Sequence, residues 1–354
     1  MIGDKPTLAL VGATGVVGLS LLSLLPTRDD IWGEIRPIAS GRSVGRRMTI
    51  LGRDVVVREL DDTAFDGVDV VVMAVPAEVA ARWAPIAVAA GAVVIDSSGE
   101  FTGREDVPLV VPEINPDAAR YHPQGIVASP SGPTLMMVGA LWSLHSAWQL
   151  TSVVATTMQA VTDAGVAGAL RLYDETMELA GNQGVGQSPG DVRRMLSDLG
   201  ASPFPAPVAF NLIPWVGAPA DEGAADSEAH VRDELRSLMR VSHLPVAVTC
   251  VQVPVVRTHS VSVHATFAAD VDRDDAVRVL TESSNSVVVL DDSAESLDDA
   301  WPTPVDVVGA DPVFAGRVRR LDGFPKAIEL FICADNLRKG SALNLLQIAE
   351  LTVS

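Results

Sequence analysis

The chain has 354 residues, of which 48% are hydrophobic and 20% charged, and its formal net charge is −19. That length and apolar content support about two domains with sizeable cores and do not read as a disordered or low-complexity protein. Asp and Glu outnumber Lys and Arg by 45 to 26, which argues against nucleic acid or an anionic membrane as partner, since either requires clustered cations.

The stretch "TLALVGATGVVGLSLLSLL" (7–25) reads as an apolar strand, a Gly-rich turn and an apolar helix, in that order. "RPIAS" (36–40), "VDVVVMAV" (68–75) and "GAVVIDSS" (91–98) read as further buried strands. Between the last two, "AEVAARWAPIAVAAG" has helix periodicity and a terminal Gly. Alternating strands and helices predict an α/β fold, a Rossmann-type doubly wound parallel sheet over residues 1–132. "SPSGPT" (129–134) then starts a helix: Pro133 suits the first helical position and Ser131 or Gly132 can cap it.

Beyond that helix the texture changes. "LTSVVATTMQAVT" (150–162), "LPVAVTCVQVPVV" (244–256), "HSVSVHATFAADV" (259–271) and "AIELFICAD" (327–335) are long strands rich in Val and Thr. They predict an α+β domain over 133–335 with a mostly antiparallel sheet. Residues 181–225, rich in Gly, Pro and Ala, read as an extended excursion, and "NLRKGSALNLLQIAEL" as a closing helix with apolar Leu345, Ile348 and Ala349. Cys250 and Cys333 lie in apolar strand patterns and read as small buried hydrophobes, not as a disulfide framework. His122, His145, His243 and His264 show no metal-ligand spacing, so no metal site is expected. No apolar run reaches the roughly 18–20 residues that span a bilayer, and no signal peptide precedes the first strand, so the expected location is cytoplasmic.

Gly12, Gly15 and Gly18 form G-x-x-G-x-x-G between strand and helix, with Thr14 and Val16 between them. Such a turn lets a pyrophosphate approach the backbone at a helix N-terminus. At the end of the next strand, "ASGRSVG" (39–45) lacks the acidic residue that would bind a ribose 2′-hydroxyl. Ser40, Arg42 and Ser43 instead offer a cation and two hydroxyls suited to a 2′-phosphate, so NADP is expected over NAD. Arg46 and Arg47 are nearby and read equally well as solvated loop residues.

Taken together and in order, "VGATGVVG", "ASGRSVG", "VVIDSSGEF", "DVPLVVPEIN", "NLIP", "VPVVRTHS" and "ADNLRKGSALNLLQIAEL" resemble the aspartate-semialdehyde dehydrogenase family over nearly the whole chain. The resemblance implies an NADP-dependent oxidoreductase of amino-acid biosynthesis. It also implies a homodimer formed through the second domain's sheet, and a C-terminal helix, 336–354, that returns to the nucleotide domain. The family's thioester route needs a cysteine thiolate at a helix start, a histidine acid/base and cations for the substrate carboxylate and phosphate.

Several of those positions differ here. Where the family reads Asn-Pro-Asn-Cys-(Ser/Thr)-Thr, this chain has Ser129 to Thr134, which puts Gly132 at the nucleophile and Ser131 at its neighbouring Asn. The phosphate-binding Arg falls on Thr102, the carboxylate-clamping Arg on Gln252 and a phosphate-binding Lys on His230. Retained are Gln159 in "TTMQAVTDAG", the acid/base position His259 (which also reads as an ordinary strand-end histidine), and Asn336, whose family counterpart lies near the nicotinamide. Three outcomes follow from the resemblance. One is a pseudoenzyme that binds NADP, as a homodimer or as a hetero-oligomeric partner of an authentic family enzyme. A second is an oxidoreductase acting by direct hydride transfer on another carbonyl through His259 and Gln159. The third is the family activity with Ser131 as substitute nucleophile, for which the sequence offers no base.

Overall fold

A computed structural model describes residues 5–28, 30–283, 286–290 and 300–354. The chain forms two units. The first runs to Trp142 and adds Asp233–His243 and Leu337–Ser354; the second comprises Ser143–Arg232 and Leu244–Asn336.

In the first unit the chain runs through β1 (Leu8–Val11), α1 (Val16–Leu24), β2 (Ile35–Ala39), β3 (Arg47–Ile50), β4 (Arg53–Val56), β5 (Arg58–Glu59), β6 (Val70–Met73), α2 (Ala77–Ala89), β7 (Val93–Asp96), β8 (Ile126–Ala128) and α3 (Gly132–Trp148). A parallel sheet has the order β5-β2-β1-β6-β7-β8. β1, β2 and β6 are buried at every residue, because helices cover both faces of a parallel sheet. Leu8, Leu10 and Val72 pack toward Leu21 of α1, whereas Ala9, Val11 and Val71 pack toward Trp83 of α2. The first unit extends past the expected boundary at 132 because the apolar stretch Leu135–Leu141 of α3 is itself buried.

Gly12 ends β1 at φ +90°, and a Cβ there would lie 2.2 Å from the carbonyl oxygen of Ala74, so only glycine fits. The β3–β4 hairpin went unpredicted. Its turn residues, Leu51 and Gly52, both have positive φ, a conformation that Leu seldom signals in sequence.

The second unit contains β9 (Leu150–Gln159), α4 (Gly165–Leu179), α5 (Asp191–Met195), α6 (Asp226–Leu238), which continues into the first unit, β10 (Val246–Gln252), β11 (His259–Phe267), α7 (Arg273–Ser283), β12 (Val287–Leu290), α8 (Pro304–Val307), β13 (Val313–Leu321) and β14 (Phe324–Ala334). The sheet order is β10-β9-β11-β14-β13-β12. Its central pairings are antiparallel, as expected, and each edge strand runs parallel to its neighbour, which makes the sheet mixed. The excursion 181–225 is anchored by Glu175 of α4, fully buried. Its carboxylate accepts N–H bonds from Val208 (2.7 Å) and Ala209 (2.9 Å) and an ion pair from Arg171 (2.6 Å).

The C-terminal segment belongs to the first unit: α9 (Leu343–Val353) follows a single π-helical turn, Arg338–Ala342, and buries Leu345, Ile348 and Ala349 in the α1 face of the core. Lys339, buried, forms an ion pair with Glu113. Asn344 donates to Ser129 Oγ (2.8 Å).

Thr258, fully buried just before β11, holds φ +83°, and its hydroxyl has no partner. A β-branched residue in that region is strained by on the order of 1–3 kcal/mol. Thr258→Gly is therefore expected to raise unfolding stability by about 1 kcal/mol, after the entropy that glycine returns to the unfolded chain, as read by urea denaturation.

Candidate functional site

The glycine turn places Gly15 at the N-cap of α1, where no side chain accepts from the first helical N–H groups. Thr14 Oγ1 donates to Ser43 Oγ at 3.2 Å, joining the turn to the loop after β2 that carries the exposed Ser40 and Arg42. A helix start without a side-chain cap among the described residues, approached by glycine backbone and tied through Ser43 to the loop that carries Arg42, fits a dinucleotide pyrophosphate.

Elsewhere in the first unit the start of α3 is already occupied. Gly132 is the first helical residue and Pro133 the second, one place later than expected. The cap is not made by the Ser131 side chain alone. Glu234 of α6, 2% exposed, accepts the Ser131 N–H (3.0 Å), the Ser131 hydroxyl (2.6 Å) and the Thr134 hydroxyl (2.5 Å). A carboxylate at a helix N-terminus is favourable, and here the protein supplies it. Sequence reasoning missed Glu234, which lies 100 residues from Thr134 and carries no local motif. It also corrects the expectation that Ser131 has no basic partner.

Thr102 is half-buried, with its hydroxyl unpartnered, and lines a cavity of about 530 Å³ with Arg104, Glu105, Asp233 and Glu234. Arg104 is paired with Asp106 at 3.3 Å and Asp233 with Arg236 at 3.4 Å, and with Glu105 and Glu234 also on the lining the wall is net acidic. His230 is exposed on α6.

In the second unit, β9 and β11 bring two of the sequence candidates together. His259, fully buried, accepts the Ala160 N–H on Nδ1 at 2.9 Å, the residue after Gln159. Gln159 donates to Thr157 Oγ1 (3.1 Å). Gln252 of β10 donates its side-chain amide to the Gln159 carbonyl (2.5 Å), so it serves as a strand-to-strand tie. Asn336 is buried; its amide oxygen accepts the Thr258 N–H (2.8 Å) and its amide nitrogen donates to Thr162 Oγ1 (3.1 Å). Its side chain thus fixes the turn before His259. Arg257 pairs with the buried Asp335 at 2.8 Å.

Both cysteines are fully buried, as expected. Burial pushes the Cys250 thiol above its ordinary range and the Cys333 thiol up to about 11. Neither is a thiolate at neutral pH. Among the described residues no group of three His, Cys, Asp or Glu side chains is placed to hold a metal ion.

Residues 7–122 match the family model "semialdehyde dehydrogenase, NAD binding domain", and residues 141–339 match "semialdehyde dehydrogenase, dimerisation domain". The chain is 34% identical over 345 residues to the aspartate-semialdehyde dehydrogenase of a Synechocystis species, covering 98% of this chain and 96% of the relative. The Bacillus subtilis aspartate-semialdehyde dehydrogenase is likewise 34% identical over 346 residues, with 97% and 96% coverage. Among solved structures, aspartate semialdehyde dehydrogenase II of Vibrio cholerae complexed with ASA superposes with a TM-score of 0.88 at 32% identity, over 99% of each chain. The chain belongs to the aspartate-semialdehyde dehydrogenase family. Family membership accounts for the two sheets and the nucleotide turn.

One further group in the family fold is out of the ordinary. Asp96, at the carboxyl end of β7, is fully buried, and burial raises its carboxyl from 3.8 to about 6 despite bonds from Ser98. A carboxyl raised on folding stabilises the native state below its unfolded value, and that contribution is lost as pH rises through its folded value. Between pH 4 and 7 the wild type is expected to lose about 2 kcal/mol of stability relative to Asp96→Asn, measured by denaturant titrations across that range.

Proposed function

We propose that this chain is an NADP-binding, homodimeric member of the family that does not perform phosphorylating oxidation of aspartate semialdehyde. The observation that carries this reading is the start of α3. Its first residue, Gly132, has no side chain, and the carboxylate of Glu234 holds the flanking Ser131 and Thr134. A thioester route needs sulfur there, and the two thiols the chain possesses are buried and protonated. Ser131 is a poor substitute, because the carboxylate that accepts a hydrogen bond from its hydroxyl also holds the Ser131 N–H and the Thr134 hydroxyl and is committed to the helix start.

The anion-binding positions support the same conclusion. At Thr102 and Gln252 the chain has neutral side chains, the first in an acidic cavity and the second tied to the Gln159 carbonyl. Neither offers the bidentate fork that holds a carboxylate or phosphate. NADP, when bound, supplies hydride chemistry. Gly12, Thr14, Gly15, Val16 and Gly18 shape its pyrophosphate turn, and Ser40, Arg42 and Ser43 receive the 2′-phosphate.

A second reading is carried by His259. With Nδ1 accepting from backbone, the neutral ring bears its proton on Nε2 and presents it toward the Asp163 carboxylate 3.5 Å away, an arrangement that uses no thiol. Direct reduction of another carbonyl compound is the activity that this arrangement suits.

Purified protein mixed with aspartate semialdehyde, phosphate and NADP is expected to form NADPH on the order of 10⁴-fold more slowly than active relatives. Intact mass should show no acyl adduct, while NADP binds more tightly than NAD and loses that preference in Arg42→Ala. A thioester or ester on the chain would overturn the reading.

Homodimerisation is supported by an apolar stripe on α4: Val166, Leu170, Tyr173 and Met177 recur at helical spacing and are 50–75% exposed. Leu170→Glu combined with Met177→Glu is expected to shift the protein from dimer to monomer in analytical ultracentrifugation.

A further inference from the structure

The fixed ring of His259 faces a carboxylate from the turn that follows β9. Nε2 is buried without a hydrogen-bond acceptor, and Asp163 Oδ1 lies 3.5 Å away. The two side chains differ sharply in access, 1% exposed for His259 and 41% for Asp163. Asp163 sits in the 3-10 turn Val161–Ala164 directly after β9, and the turn is pinned on both sides. Val161 and Thr162 donate backbone N–H bonds to Val255 and Val256, and Thr162 Oγ1 accepts from Asn336. The carboxylate is therefore held beside the ring by structure that spends no side-chain bond of its own.

The polarity of this pair follows from Ala160. Its N–H occupies Nδ1, so the ring cannot accept a proton on Nε2, which already carries one. Taking a second proton on Nδ1 would break the backbone bond. His259 is thus a donor in its resting state, and the accessible proton acceptor beside it is Asp163. We propose that Asp163 is the acid–base group of this site and His259 the positioning residue that stabilises its anion. This rests on the reading above that no thiol operates here.

In the forward direction the O–H proton of an alcohol or hydrated carbonyl passes to an Asp163 carboxylate oxygen. The O–H bond breaks, its electron pair stays on the substrate oxygen as an alkoxide, the carboxyl O–H forms, and the imidazole keeps its single proton. The alkoxide pair would close the C=O bond as the C–H pair leaves as hydride to an oxidised nicotinamide, the acceptor class of the proposed function. The ligand class is a neutral hydroxyl or carbonyl compound, since Gln252 on the neighbouring strand spends its amide on the Gln159 carbonyl and offers no cation.

The other ionisable groups around the pair are Cys250 on β10, whose thiol feels the Asp163 charge and is protonated, and the Arg257–Asp335 pair before β11, which is internally neutral. Cys333, on the strand paired with β11, contacts Ser260 and is protonated.

The test uses the full-length protein labelled with ¹⁵N-histidine, with the His259 signals assigned by their loss in His259→Asn. The expected spectrum shows an Nε2–H tautomer with a downfield proton signal. That signal moves upfield in Asp163→Asn and Asp163→Ala, both of which keep the wild-type melting temperature. In the wild type the signal changes with pH, and both variants lack that change. An Nδ1–H tautomer, or an Nε2–H signal that is pH-independent and unchanged in the variants, would overturn the proposal. The result is read independently of any acyl adduct, so failure of the thiol-free reading shows in the mass experiment and failure of this one shows in the spectrum.

Discussion

The start of helix α3 draws on a carboxylate from 100 residues away. Glu234 meets the backbone N–H of Ser131 and the hydroxyls of Ser131 and Thr134, and so satisfies the positive end of a 17-residue helix from within the chain. A helix start in that condition has little remaining attraction for an external anion. The same carboxylate adds to the acidic wall of the neighbouring cavity, so that cap and cavity both disfavour a phosphate.

The nucleotide turn of the first unit shows the contrasting case. There the helix start of α1 has no side-chain cap, glycine backbone surrounds it, and the nearby cation is exposed. One chain thus contains two helix N-termini treated in opposite ways. One is left open to a ligand and the other is closed by an internal carboxylate. The difference lies in which side chains reach the first turn, since the helix dipole is common to both.

Much of the architecture was legible because it rests on local pattern. β1, β6 and β7 are short apolar runs ended by Gly12, Pro76 and Asp96, and the parallel sheet follows from their alternation with helices. The long strands of the second unit were equally plain. What escaped notice depends on partners distant in sequence: Glu234 against Ser131, Asp163 against His259, and Asn336 against both Thr162 and Thr258. The β3–β4 hairpin was hidden for a different reason, since its turn puts Leu51 in a left-handed conformation that composition does not announce. Spacing singled out Gln252 and Asn336, but the bonds that engage them inside the fold lay beyond what it can tell.

The ion pair of Lys339 with Glu113 bears on what the closing segment preserves. Both groups belong to the first unit, and Lys339 is almost wholly buried. Losing the ammonium would leave the partly exposed Glu113 carboxylate without its cation and a gap where Lys339 is packed, a defect worth about 1–3 kcal/mol, a sizeable share of a domain's net stability. Folding alone therefore holds this lysine in place, whatever reaction the chain does or does not carry out.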